Sequence, residues 1–339
     1  MRDLDRYCGC LIGGAAGDAL GYAVEFMDAQ AIFRRYGAGG ITDYALVNGV
    51  AEISDDTQMT LFTANGLLNA AERGMEGDYA ACLEAAYRDW YATQTRRYPL
   101  PSASTATWLA SVPGLFRRRA PGSTCMSALS RAACGSIAHP INDSKGCGGV
   151  MRVAPIGLYF DVPTDRQDEA DRIGAQAAAL THGHELAYMP AAGLVHIVGR
   201  LAHDPAVSVM DAVLEMKAAV GRQFAQAKHL PDFLALIDRA VALAQSASDD
   251  LAAIQQLGEG WTGDEALAIA VYCALKYAGD FERAIAAAVN HGGDSDSTGA
   301  IAGNILGAHL GLKRIPSKYL EKLELKEIIL RLAEALYQV

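Results

Sequence analysis

An all-α protein is what this sequence predicts. Apolar residues recur at helical spacing along most of the chain, and alanine is abundant in the periodic stretches. Strand-like alternation is confined to residues 41–50, which read better as a loop. The 339 residues are 51% hydrophobic and 20% charged. That is an ordinary globular balance, with length for one large domain or two average ones.

Taken in order, the periodic stretches predict helices over 4–23, 54–73, 77–93, 123–134, 165–181, 184–202, 206–222, 231–247, 263–279, 280–290, 297–311 and 316–337, the last broken near 324. Several carry start or stop signals. Ser54 precedes two acids in a first turn, Thr262 and Glu265 have capping-box spacing, and Asp280 suits an N-cap. Gly74 and Gly279 suit C-caps. The stretches 94–103, 112–123 and 137–149 read as loops of the kind that cover sites. Arg117, Arg118 and Arg119 in the second read as a solvated face.

Two helices carry glycine stripes: Gly13, Gly17 and Gly21 in the first, and Gly299, Gly303, Gly307 and Gly311 near the end. Residues four apart drift by about 40° per step along a helix, so each set stays on one side. A helical glycine costs roughly 1 kcal/mol relative to alanine, and close approach of two backbones is the obvious return. The stripes are expected at very tight helix contacts, against each other or against other helices. That would carry Asp18 and Glu25 toward Asp294 and Asp296.

A net charge of -10 argues against general nucleic-acid affinity. It leaves room for a small anionic ligand, because the local field at a metal site can oppose the global charge. Seven cysteines, an odd number in a long chain, do not read as a disulfide framework, and Cys8 with Cys10 lacks a second pair for zinc. The first ten residues lack the apolar core of a signal peptide. The longest apolar run, 186–198, is broken by Pro190 and His196 and is too short for a bilayer. The expectation is a reducing, cytoplasmic protein with no membrane and no nucleic-acid partner.

Two acidic clusters carry the chemistry. Asp294, Asp296 and Ser297 crowd oxygen donors into one turn, and Ser54, Asp55 and Asp56 repeat the pattern more than two hundred residues earlier. Helix capping accounts for one residue in each; a hard divalent cation between the carboxylates accounts for all of them. All-oxygen ligation suits magnesium, manganese or calcium better than zinc. With Glu25 as a further donor, the count fits two ions better than one. The glycine-rich run from Ser144 through Gly148 and Gly149 to Arg152 is a weak phosphate-cradle signal whose spacing fits neither a Walker loop nor a dinucleotide fingerprint. Arg152 reads equally as a salt-bridge residue. His182 reads as a capped or buried histidine or as a donor to phosphate, and His291 as structural.

Together these motifs resemble the ADP-ribosylglycohydrolase family over nearly the whole chain. The likeness rests on Gly13 to Gly21 with Asp18 and Glu25, on Ser54-Asp55-Asp56-Thr57, on Gly146 through Arg152, on Thr181-His182, and on Gly292 through Ser297. The resemblance implies a single compact, orthogonal helical domain over 1–339 with a central bimetal cleft. It also implies a hydrolase that frees a protein side chain, arginine above all, from ADP-ribose. Serine-linked or free ADP-ribose derivatives, or a non-catalytic crystallin-like role, are the alternatives. By the same resemblance, Ser54, Asp55, Asp56, Asp294, Asp296 and Ser297 would hold two Mg2+ or Mn2+ ions. Asp56 or Glu25 would take a proton from the attacking water. Ser144, Gly148, Gly149 and His182 would contact ADP-ribose, with Tyr98 and Phe116 as candidates to stack on adenine. A monomer is expected. Cys147 stands where some members have asparagine.

Overall fold

The structure is a computed structural model that describes every residue except Met1, Glu76 and 161–163, and also leaves aside the side chains of Ser102, Thr164 and Asp165. Sixteen α-helices and no sheet are found among the described residues. In chain order they are α1 (Leu4–Tyr22), α2 (Ala29–Tyr36), α3 (Asp55–Glu72), α4 (Tyr79–Thr95), α5 (Ser123–Leu129), α6 (Ala154–Tyr159), α7 (Thr164–Ala179) and α8 (Glu185–His203). The second half continues with α9 (Val209–Gln223), α10 (Leu230–Ala244), α11 (Asp250–Ile254), α12 (Gly263–Lys276), α13 (Phe281–Val289), α14 (Ser295–Leu310), α15 (Lys318–Glu321) and α16 (Lys326–Gln338). The all-α expectation holds, and 41–50 is a loop closed by an isolated bridge between Val47 and Val50. The short helices α2, α6 and α11 escaped the periodicity reading, because two turns or fewer offer too few repeats to stand out. The break expected near 324 falls at Leu325, whose backbone is left-handed (φ 55°).

The glycine stripes do meet each other. Gly9, Gly13 and Gly17 of α1 face Gly307, Gly303 and Gly299 of α14, and Gly21 faces the Ser295 carbonyl. A Cβ on Gly299 would stand 2.5 Å from the Gly17 carbonyl oxygen, and one on Gly17 would be driven into the Gly299 carbonyl. Backbone-to-backbone contact is therefore possible only without side chains. Gly9 extends the stripe by one turn. Gly311 does not belong to it: its φ of 80° ends α14 beside Asp5. Asn304 locks the seam by donating to the Cys10 carbonyl at 2.9 Å.

This seam sits in a single cluster of buried apolar side chains that includes Trp90, Tyr87, Phe62 and Tyr272. All seven cysteines are free. Among the described residues, no helix is long and apolar enough to cross a membrane.

Three local expectations need correction. Arg119 is buried, not solvated: it pairs with Glu52 at 2.8 Å and Glu324 at 3.1 Å, while Arg117 and Arg118 are exposed. Two acids converge on one guanidinium and pin the 112–123 loop to the body of the protein. The capping box at Thr262 does not form. Its hydroxyl donates to Asp264 instead, and Glu265 receives the backbone N–H groups of Glu259 and Gly260 at 3.2 Å each. Helix α12 stops at Lys276 with Tyr277 as its cap, so Gly279 is not a C-cap.

Candidate functional site

The site begins with the first turns of α3 and α14. Ser54 caps α3, its hydroxyl oxygen accepting the Asp56 N–H at 3.1 Å. Asp18 of α1 braces the same turn, accepting from the backbone N–H groups of Ser54 and Thr57 and from the Thr57 hydroxyl. Capping is thus already served by Ser54 and Asp18, which leaves Asp55 and Asp56 unexplained by it. Asp294 occupies the N-cap position of α14 yet makes no capping hydrogen bond through its side chain. Its carboxylate instead accepts from the Cys147 thiol at 2.7 Å.

The seam of α1 and α14 delivers these turns to one place. Glu25, Asp55, Asp56, Asp294, Asp296 and Ser297 line a single pocket of about 370 Å³. Asp55 accepts the Gly122 N–H at 3.1 Å and donates its own N–H to the Arg119 carbonyl at 3.0 Å, so the pinned loop forms one wall. Oδ2 of Asp56 and Oε2 of Glu25 are buried without a hydrogen-bond partner. Burial, and then the neighbouring Asp296, push Asp56 well above the usual carboxylate range, and the same two causes raise Glu25 to about 10. Asp294 is raised by burial and by Asp296, and Asp55 chiefly by burial. Asp296 is also raised by burial, against the hydrogen bonds it accepts. Carboxylates gathered this way repel one another unless protons or cations are shared among them. Among the described residues, no three His, Cys, Asp or Glu side chains close into a ready-made metal cage.

A further wall comes from the glycine-rich run and His182, and the Cys147 thiol joins it to Asp294. Gly148 lies against the imidazole: a Cβ there would be 3.0 Å from Cε1, so glycine leaves the ring its room. Nδ1 of His182 is 2.8 Å from the Thr181 hydroxyl. Burial, with Arg152 nearby, lowers the His182 pKa to about 3 and keeps the ring neutral. Arg152 is fully buried and pairs with no carboxylate among the described residues, so the salt-bridge reading falls. Its Nη2 donates to the Ala177 carbonyl and the Thr181 hydroxyl at 2.8 Å each, and its guanidinium lies 4.3 Å over the Tyr87 ring. His291 bonds the Thr298 hydroxyl at 3.0 Å within the α14 turn.

Not every expected residue reaches the pocket. Gly149 stands behind its wall, packed on Ala178, and Ser144 is turned to the Thr124 hydroxyl at 3.1 Å. Ser54 is fully buried beneath the acids. Tyr98 and Phe116 pack edge to face on each other at 5.2 Å and do not line the pocket. Two aromatic residues that do line it, Phe26 and Trp261, went unnoticed in the sequence. Both lie in short connections between helices and so carry no periodic signal; only the position of Phe26 next to Glu25 could have pointed to it.

Comparison with known proteins identifies the family of the chain. Residues 1–339 match the ADP-ribosylglycohydrolase family. The chain is 29% identical to an uncharacterized protein of Archaeoglobus fulgidus, covering 99% of this chain and 97% of that one. It is 28% identical to the ADP-ribosyl-[dinitrogen reductase] glycohydrolase of Rhodospirillum rubrum, over 95% of this chain and 91% of the relative. It is 27% identical to the zebrafish (Danio rerio) ADP-ribosylhydrolase ARH3, over 92% and 85%. A solved structure described as an ADP-ribosylglycohydrolase-related protein complex superposes with a TM-score of 0.62 at 25% identity, covering 99% of this chain and 98% of that one. Matched from end to end, the chain belongs to the ADP-ribosylglycohydrolase family, and the activity that this membership supports is ADP-ribosyl hydrolysis.

Proposed function

We propose that the protein is a divalent-metal-dependent hydrolase that cleaves the bond between ADP-ribose and an arginine side chain of a modified protein. The observation that carries this reading is the convergence of two acidic turns, far apart in sequence, on one pocket with two partnerless buried carboxylate oxygens.

The donor set fits hard cations, and the family is a metal-dependent one. Asp55, Asp56, Asp294, Asp296 and Ser297, which line the pocket, would hold two Mg2+ or Mn2+ ions, which suit carboxylate and hydroxyl oxygen, with Ser54 joining them only if its hydroxyl turns from the α3 cap. When bound, such ions supply positive charge that fixes a ribose diol and acidifies water.

The chain's own groups do the rest. In the ionised form that neighbouring cations favour, Oδ2 of Asp56 or Oε2 of Glu25, neither held by a hydrogen bond from the protein, accepts a proton from the attacking water. The surrounding carboxylates favour the positive charge that develops on the ribose in an oxocarbenium-like transition state. Gly148 and the neutral His182 face the ADP-ribose, with Ser144 and Gly149 supporting that wall. The five carboxylates of Glu25, Asp55, Asp56, Asp294 and Asp296 outnumber the four charges of two dications, and the remaining negative charge favours a cationic guanidinium over a neutral hydroxyl as the departing side chain. We also propose a cytoplasmic setting, which the seven free cysteines support.

The test is incubation of the purified protein and Mg2+ with arginine-linked and serine-linked ADP-ribosyl peptides. Release of ADP-ribose and intact arginine peptide, abolished by EDTA, is the expected result. Release of inorganic phosphate instead, or no cleavage of the arginine peptide, overturns the reading.

A further inference from the structure

Phe26 and Trp261 are large apolar side chains left 76% and 40% exposed at the mouth of the pocket. Their rings are nearly parallel, tilted by 20°, with centroids 6.4 Å apart. Adjacent exposed aromatic faces beside a polar pocket mark a contact surface more often than a solvated one.

Phe26 is tied to the acidic edge, and the Trp261 segment bridges that edge and the glycine-rich run. Phe26 directly follows Glu25. Trp261 accepts the Cys147 N–H through its carbonyl at 3.1 Å, and two residues earlier the Glu259 carbonyl accepts the Asp294 N–H at 2.8 Å. His182, buried with Gly148 against it, lies deeper in the pocket than these two exposed rings. A substrate held with its diphosphate at the buried His182 and its ribose among the acids leaves the exposed mouth, where the two rings stand, to its departing side chain.

We propose that Phe26 and Trp261 form a clamp for the guanidinium of the modified arginine, and so select arginine over hydroxyl-linked substrates. This inference rests on the reading of the site as an arginine-directed hydrolase. A guanidinium is planar, cationic and weakly hydrated, and it stacks on aromatic faces. Stacking takes about 3.5 Å on each face, so these two exposed rings part slightly from 6.4 Å to take a guanidinium within the roughly 6 Å reach of both. The acidic surroundings add attraction that a neutral flat group does not receive. A serine linkage presents neither plane nor charge.

The test compares Phe26→Ala, Trp261→Ala and the double variant with the conservative pair Phe26→Tyr and Trp261→Phe. Cleavage of arginine-linked and serine-linked ADP-ribosyl peptides is measured beside calorimetric affinity for free ADP-ribose. The double alanine variant is expected to lose about ten-fold in kcat/KM on the arginine peptide, carried mainly by KM, and less than about two-fold on the serine peptide. Its affinity for ADP-ribose is expected to be unchanged, and the conservative variants to retain selectivity. Equal losses on both peptides, or weakened ADP-ribose binding that would put the rings on adenine, overturns the clamp. A wild-type protein that cleaves no arginine peptide removes the underlying reading, and the clamp falls with it.

Discussion

Both carboxylate oxygens of Asp18 lie within hydrogen-bond distance of the Ser54 backbone N–H, at 3.0 and 3.1 Å. This contact joins α1, which is fixed to α14 by the glycine seam, to the turn that bears Asp55 and Asp56. Asp18 also receives the Thr57 N–H and hydroxyl. Removing it strands buried donors, each of which costs about 1–3 kcal/mol when left unpaired. Asp18→Ala is therefore expected to lower stability by roughly 2–4 kcal/mol in urea unfolding. Asp18→Asn, which keeps an acceptor oxygen, is expected to lose less. Equal stability of the alanine variant and the wild type would show that the brace is dispensable.

The seam itself is testable at Gly299. An added methyl group would meet the Gly17 carbonyl at 2.5 Å, and that neighbour is backbone with no rotamer to change. The helices would have to part just where α14 presents Asp294 and Asp296. Gly299→Ala is expected to destabilise by at least about 3 kcal/mol. Gly279 has no atom within 4 Å of an added Cβ, so Gly279→Ala is expected to stay within about 0.5 kcal/mol of the wild type. Thermal or urea unfolding of the two variants side by side checks the contrast.

How much of this was legible in the sequence follows from the kind of signal involved. The seam could be read because glycine inside a helix is costly and four-residue spacing admits few explanations. The two acidic turns could be read because like charges packed together call for a counter-charge. Arg119 could not be read: its partners Glu52 and Glu324 are brought to it only by the tertiary fold. Thr262 and Glu265 had the right spacing, but Glu265 was claimed by the nearer turn at Glu259 and Gly260. Phe26 and Trp261 acquire meaning only when two loops, more than two hundred residues apart, meet at the same rim.

The acid cluster makes an opposed pair of predictions about cation removal. Without a cation, Asp296 raises the cost of ionising Asp294, Asp56 and Glu25, and burial opposes its own charge, so neutralising it should relieve the pocket. In EDTA, Asp296→Asn is expected to melt at or above the wild-type temperature. With Mg2+ the order should reverse. A ligand at a hundred times its dissociation constant stabilises by about 2.7 kcal/mol, and the variant should lose most of that gain. Differential scanning fluorimetry across a Mg2+ titration reads both halves. An Asp296→Asn protein with the full wild-type Mg2+ shift would remove Asp296 from the proposed ligand set.

His182 supplies a pH signature with a defined sign. Burial and the nearby Arg152 lower its pKa from 6.5 to about 3, so the folded protein stays unprotonated there while the unfolded chain takes up a proton below pH 6.5. The neutral ring's contribution is fully present above pH 6.5 and is lost as pH falls toward 3. Within that window the unfolded state binds one more proton, and stability rises with pH by about 1.4 kcal/mol per unit from this group alone. The carboxylates also titrate in acid, but they are common to the wild type and to a His182→Gln variant. The difference in unfolding free energy between the two proteins should therefore change along that slope between pH 6 and 4, at about 1.4 kcal/mol per unit. It should flatten above pH 7, where a constant offset reports the lost hydrogen bond to Thr181. Parallel curves throughout would show that His182 titrates normally in the folded protein and is open to water, removing the neutral, buried imidazole from the proposed ADP-ribose wall.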